Sequence, residues 1–99
     1  MVKFQEKNII MNYKDYGIEI PAVITNTLET DEIKINIYNK ANELKLEKNM
    51  IFKDERWSFE FTKEESNSLT IADYWYEIIQ YRNGKLQNTI NKGSLFRIE

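Results

Sequence analysis

The sequence predicts an all-β sandwich of about seven short antiparallel strands, and three observations lead there. Apolar residues alternate with polar ones over short runs, most cleanly at Ile33, Ile35 and Ile37 and again at Trp57, Phe59 and Phe61. A period of two puts alternate side chains on opposite faces of a strand. The densest aromatic and β-branched run, Tyr74 to Arg82, ends in Asn83-Gly84. Asn-Gly tolerates the positive φ angles of a tight hairpin turn. Turn-forming clusters also recur at roughly 8–12-residue spacing, as in sandwiches.

In chain order, Val2-Lys3-Phe4 and Ile9-Ile10-Met11 suggest one or two short opening strands, and Asp15-Tyr16-Gly17 breaks the pattern. Ile18, Ile20, Ala22 and Ile24 alternate with polar or small residues. Pro21 lies inside that run and cannot donate to a ladder, so the strand belongs at an edge or carries a bulge. Asn26 to Asp31 is polar and reads as a loop. Ile33 to Ile37 is a strand, Asn39 to Asn42 a turn, and Glu43 to Glu47 a strand showing Leu44 and Leu46 on one face. Met50-Ile51-Phe52 precedes a charged turn, Lys53 to Arg56, and Trp57 to Phe61 follows as a strand.

Thr62-Lys63-Glu64-Glu65 fits a capping box, in which the Thr and the second Glu satisfy free amides at a helix start. The polar Ser66-Asn67-Ser68 limits this to one helical turn near residues 62–67. The hairpin comes next, Tyr74 to Arg82 and Leu86 to Ile90. Ile71, Tyr74, Trp75, Ile78 and Ile79 also fit helical spacing, with Thr70 as a cap and Asp73 in a capping box. Tyr, Trp and Ile are middling helix formers, however, and a helix would strand the Asn-Gly turn without its second arm. Asn91-Lys92-Gly93 reads as a turn before a closing strand, Leu95 to Ile98. Phe96 and Ile98 share a face and Leu95 does not, which points to a bulge near Gly93.

Length and composition give one domain over residues 1–99, with 41% hydrophobic residues to build a core and 30% charged residues mixed in sign. One Pro and three Gly argue against a linker or disordered tail. The net charge is −2 and there is no basic stripe, so nucleic acid is not an expected partner. No apolar run is long enough to span a membrane, and the opening residues lack a signal-peptide pattern. The expected site of synthesis is therefore the cytoplasm, and where the chain ends up is a separate question.

The chain has no Cys and no His. Thiolate or His-based metal sites, a thiol nucleophile and a Ser-His-Asp arrangement are excluded. The carboxylate pairs Asp31-Glu32, Asp54-Glu55 and Glu64-Glu65 are adjacent in polar turns. General acid–base work needs carboxylates facing a substrate from separate backbone positions, so these read as solvated charge. There is no calcium-loop pattern, no GxSxG serine and no phosphate-cradling glycine loop. No cofactor, no metal and no enzymatic activity are expected.

The aromatics carry the functional reading. Trp57 reads as core, since Ig-like sandwiches bury a Trp between their sheets. On Tyr74 to Arg82 one face carries Tyr74, Tyr76, Ile78 and Gln80, the other Trp75, Glu77, Ile79 and Tyr81. Both are rich in apolar groups, so packing one in the core leaves the other as an exposed aromatic patch. Such patches mark protein–protein contacts. Trp75, Ile79 and Tyr81 are the candidate interface.

From Trp57 to Ile98 the chain also resembles the small β-sandwich domains of bacteriophage tails and prophages, notably the N-terminal domain of upper-baseplate proteins of phages infecting Gram-positive bacteria. The resemblance rests on Phe59 and Phe61, Thr62 to Glu65, Leu69, Tyr74-x-Tyr76-x-Ile78, Asn83-Gly84, Thr89-Ile90, and Gly93 before the final strand. Ala72-Asp73 stands where the family has a Gly before its first strand Tyr. The resemblance implies an Ig-like fold and a non-enzymatic structural role in a virion or tail particle. The implied partners are other tail or baseplate subunits or copies of the same chain. The alternative function is a carbohydrate- or cell-surface-binding module, which requires a row of exposed aromatic rings beside polar groups.

Overall fold

The computed structural model describes residues 2–5, as backbone, and 7–99. Nine strands and one short helix follow one another: β1 (Val2–Gln5), β2 (Asn8–Met11), β3 (Ile20–Ala22), β4 (Glu32–Tyr38), β5 (Leu44–Asn49), β6 (Ile51–Lys53), β7 (Arg56–Phe59), α1 (Lys63–Asn67), β8 (Ala72–Arg82) and β9 (Lys85–Ile98). They form a six-stranded sheet in the order β1-β2-β9-β8-β4-β5 and a three-stranded sheet in the order β3-β7-β6. The all-β expectation holds, with a one-turn helix at the expected place.

The period-two runs become the core. Ile33, Ile35 and Ile37 of β4, Tyr74, Tyr76 and Ile78 of β8, and Phe96 and Ile98 of β9 face one way. Ile20 of β3 with Trp57 and Phe59 of β7 meet them from the smaller sheet. Phe61 lies between, edge-on to both Phe59 and Phe96 with ring centroids 5.5 and 5.7 Å away. Trp57 is 4% exposed, as the core reading requires, and its indole N–H donates to Thr27 Oγ1 at 3.1 Å.

α1 exists because its ends are satisfied, not because its composition favours a helix. Thr62 Oγ1 accepts from the Glu65 amide and Glu65 Oε1 accepts from the Thr62 amide, at 3.2 and 2.9 Å. Glu65 also takes the Lys48 ammonium at 2.6 Å, which ties α1 to β5.

Four details depart from expectation. The described residues form nine strands rather than about seven: both opening runs are strands, Ile51–Lys53 is a strand of its own, and the runs expected at 86–90 and 95–98 fuse into β9. The chain is not wholly antiparallel, since β2 runs parallel to β9 with Ile9 opposite Phe96 and Met11 opposite Ile98. The strand expected over 18–24 shrinks to Ile20–Ala22; Pro21 sits in an edge strand, as its missing N–H demands, while Val23 is 93% exposed. Finally, Asn91 to Gly93 is not a turn. β9 continues through it as a bulge with Asn91 and Gly93 at positive φ, and the register jumps from Ile78–Ile90 to Tyr76–Ser94. This wide bulge swings the strand so that Phe96 and Ile98 reach the core and Leu95 faces away.

Candidate interaction surface

The three-stranded sheet covers one face of the six-stranded sheet. Among the described residues, no second layer covers the other face. Strand alternation therefore brings Trp75, Ile79 and Tyr81 of β8 to that outer face, all half-buried, as the sequence places them. β4 adds Lys34, Asn36 and Tyr38, and β9 adds Thr89, Leu95 and Arg97.

The residues interlock by cross-strand pairing. Tyr38 lies opposite Trp75, and their rings stack with centroids 4.2 Å apart and planes 13° from parallel. The indole N–H of Trp75 donates to Asn42 Oδ1 at 3.0 Å. Asn42 can reach it because it holds a left-handed φ of 62° in the β4–β5 turn. The Tyr38 hydroxyl donates to Glu77 Oε1 at 2.9 Å, and Asn36 lies opposite Glu77. With its amide nitrogen turned toward the acceptors, Asn36 donates to Glu47 Oε2 at 3.1 Å. Burial, then the neighbouring Glu77 carboxylate, push the Tyr38 hydroxyl above its ordinary pKa. Arg97 and Asp73 pair at 2.7 Å on one flank, and Lys34 lies over the Tyr81 ring at 5.9 Å on the other.

The result is a rigid aromatic ridge flanked by fixed charges. Sequence reasoning found three members of the ridge and missed Tyr38, Leu95 and the Asn36–Glu77 pair. Tyr38 was visible as the polar-face end of the β4 alternation, but its partnership with Trp75 depends on a register between distant strands.

The carboxylates do other work. Asp31 is buried and accepts four N–H bonds, from the Leu28 amide at 2.9 Å, Gln80 Nε2 at 2.8 Å, and Arg82 Nε and Nη2 at 2.9 Å each. The Arg82 guanidinium, with the Leu28 amide, holds the Asp31 carboxyl well below the usual carboxylate range. This clamp fastens the loop before β4 to the end of β8. Asp54 and Glu55 are exposed turn residues at positive φ. Among the described residues, no group of three or more His, Cys, Asp or Glu could hold a metal ion.

A second feature lies at one side of the sandwich. A cleft of about 390 Å³ opens between the sheets, walled by Ile9, Ala22, Phe59 and Ile78, with Tyr76 and Asn91 as its polar lining. The Tyr76 hydroxyl donates to the Lys7 carbonyl and receives Asn91 Nδ2 at 3.4 Å. Among the described residues, no helix is long and apolar enough to cross a membrane.

No protein-family model, no curated protein and no solved structure matches this chain.

Proposed function

We propose that the protein is a non-enzymatic assembly module, an Ig-like sandwich that docks the outer face of its larger sheet onto another protein subunit. The observation that carries this reading is the Tyr38–Trp75 stack, with Ile79, Tyr81 and Leu95 beside it, on a sheet face that no second layer covers among the described residues. Trp and Tyr are the residues that most often anchor protein interfaces, because they bury much area at little conformational cost. The stack and the Asn42 hydrogen bond hold Trp75 in one orientation before any partner arrives, which lowers the entropy lost on docking.

The setting follows from the resemblance of Trp57 to Ile98 to phage tail and baseplate sandwich domains: the partner is a tail or baseplate subunit. The carbohydrate-binding alternative draws less support from the geometry. Sugar platforms need free ring faces, and here Tyr38 and Trp75 each spend one on the other.

The test is affinity capture with the tagged protein in lysate of its native host after prophage induction, read by mass spectrometry. Tail or baseplate subunits captured by the wild type and lost with Trp75→Ala support the reading. Retention of wall polysaccharide without virion subunits overturns it in favour of the carbohydrate module.

A further inference from the structure

The six-stranded sheet has a gap in its pairing. β9 is 14 residues long, yet β2 pairs only with Phe96, Arg97 and Ile98. From Lys85 to Ile90, β9 has β8 on one side and, among the described residues, no strand on the other, and the bulge at Asn91 to Gly93 closes this stretch. Lys85 to Thr89 are exposed. Half of the backbone N–H and C=O groups along such an edge point outward, ready to pair with another extended chain.

Two further observations say what that chain is like. The inter-sheet cleft opens at this side of the sandwich, since Asn91 of β9 and Ile9 of β2 both line it. A strand laid along β9 turns every second side chain toward the three-stranded sheet, so one of them reaches the apolar walls of Ile9, Phe59 and Ile78. The charge along the edge is of one sign. No carboxylate lies between Lys85 and Ile98, while Lys85 and Lys92 are exposed and have no ion-pair partner among the described residues. Lys7 stands at the cleft as a third cation.

We propose that the free edge of β9 is a strand-addition site for an extended, acidic partner segment that places an apolar side chain in the adjoining cleft. The same charges argue against a second copy as occupant. An antiparallel self-pair would bring Lys85 and Lys92 of one chain beside those of the other, and like charges across a ladder are destabilising. This edge is separate from the outer face, so the proposal does not depend on the docking reading above.

The experiment uses two capped synthetic peptides, Glu-Val-Glu-Val-Glu-Val-Glu and its counterpart with Lys for Glu, added to the isotope-labelled full chain and followed by NMR. The acidic peptide shifts the amide signals of Leu86 to Ile90 and the side-chain signals of Ile9 and Ile78. It binds about tenfold more tightly than the basic one, and the gap narrows as salt is raised. The double variant Lys85→Glu/Lys92→Glu changes only exposed side chains and reverses the preference. Equal affinity for both peptides, shifts confined to Trp75 and Tyr38, or no shift at millimolar peptide overturns the proposal. So does concentration-dependent self-association through residues 86–90.

Discussion

Tyr38 and Trp75 face each other across β4 and β8 on the side of the sheet away from the core, their rings 4.2 Å apart and nearly parallel. The contact couples two strands without adding to the inter-sheet core. Its loss therefore affects the surface more than the fold. An aromatic pair contributes roughly 0.5–1.5 kcal/mol beyond its buried area. Deleting a buried aliphatic such as Ile35 costs about 2–5 kcal/mol. Trp75→Ala is expected to lower unfolding free energy by clearly less than Ile35→Ala in urea titrations. An equal loss would make Trp75 a core residue and remove the basis for the docking face.

Asp31 governs the acid limb of stability. Its folded-state pKa lies below its unfolded value, so it stabilises the fold above the unfolded pKa and that contribution fades as pH falls toward the folded one. Asp73, held low by Arg97, acts in the same direction. The urea midpoint is expected to be level near pH 7 and to decline below about pH 4, where unfolded carboxylates take up protons. Asp31→Asn should be less stable at pH 7 and show a shallower acid decline. An unchanged pH profile in that variant would mean that Arg82 finds no stabilising partner in Asp31.

The alkaline limb belongs to Tyr76 and Tyr38. Burial raises both hydroxyl pKa values, with Glu77 adding to the effect at Tyr38. A raised folded pKa gives stability that is present below the unfolded pKa, about 10, and is lost as pH rises beyond it. Ultraviolet titration should show late-ionising tyrosine transitions that belong to these two hydroxyls. Tyr76→Phe should remove one late transition and cost about 0.5–1.5 kcal/mol for its lost hydrogen bond.

The capping box sets the only helix among the described residues. Thr62→Ala removes the acceptor for the Glu65 amide and should cost about 0.5–2 kcal/mol. Thr62→Ser, which keeps the oxygen, should restore most of it. Identical losses in the two variants, measured by thermal unfolding, would assign the effect to the lost methyl group instead.

Much of this architecture was legible because local chemistry dictated it. Asn83-Gly84 turns the hairpin with both residues at positive φ, Thr62 and Glu65 cap α1, Pro21 sits at an edge, and Trp75, Ile79 and Tyr81 share the outer face. What stayed hidden depends on distant pairing. The parallel contact of β2 with β9 has no local signature. Asp31 looked like one more polar loop residue because its partners Gln80 and Arg82 lie about fifty positions away. Gly93 carried two readings: the bulge expected there is present and the turn is not, because a positive φ serves either and only the register against β8 separates the two.

The proposed docking puts a partner subunit on the outer sheet face. The most direct measurement places a photo-crosslinking amino acid at Ile79, amid the ridge, and in a second protein at Ile51, an exposed position on the three-stranded sheet. Each is irradiated in induced host lysate and its adducts are identified. Docking through that face gives adducts with a tail or baseplate subunit from Ile79 and none from Ile51. Adducts with such a subunit from Ile51 alone would contradict it, because the partner would then be reading the opposite side of the sandwich.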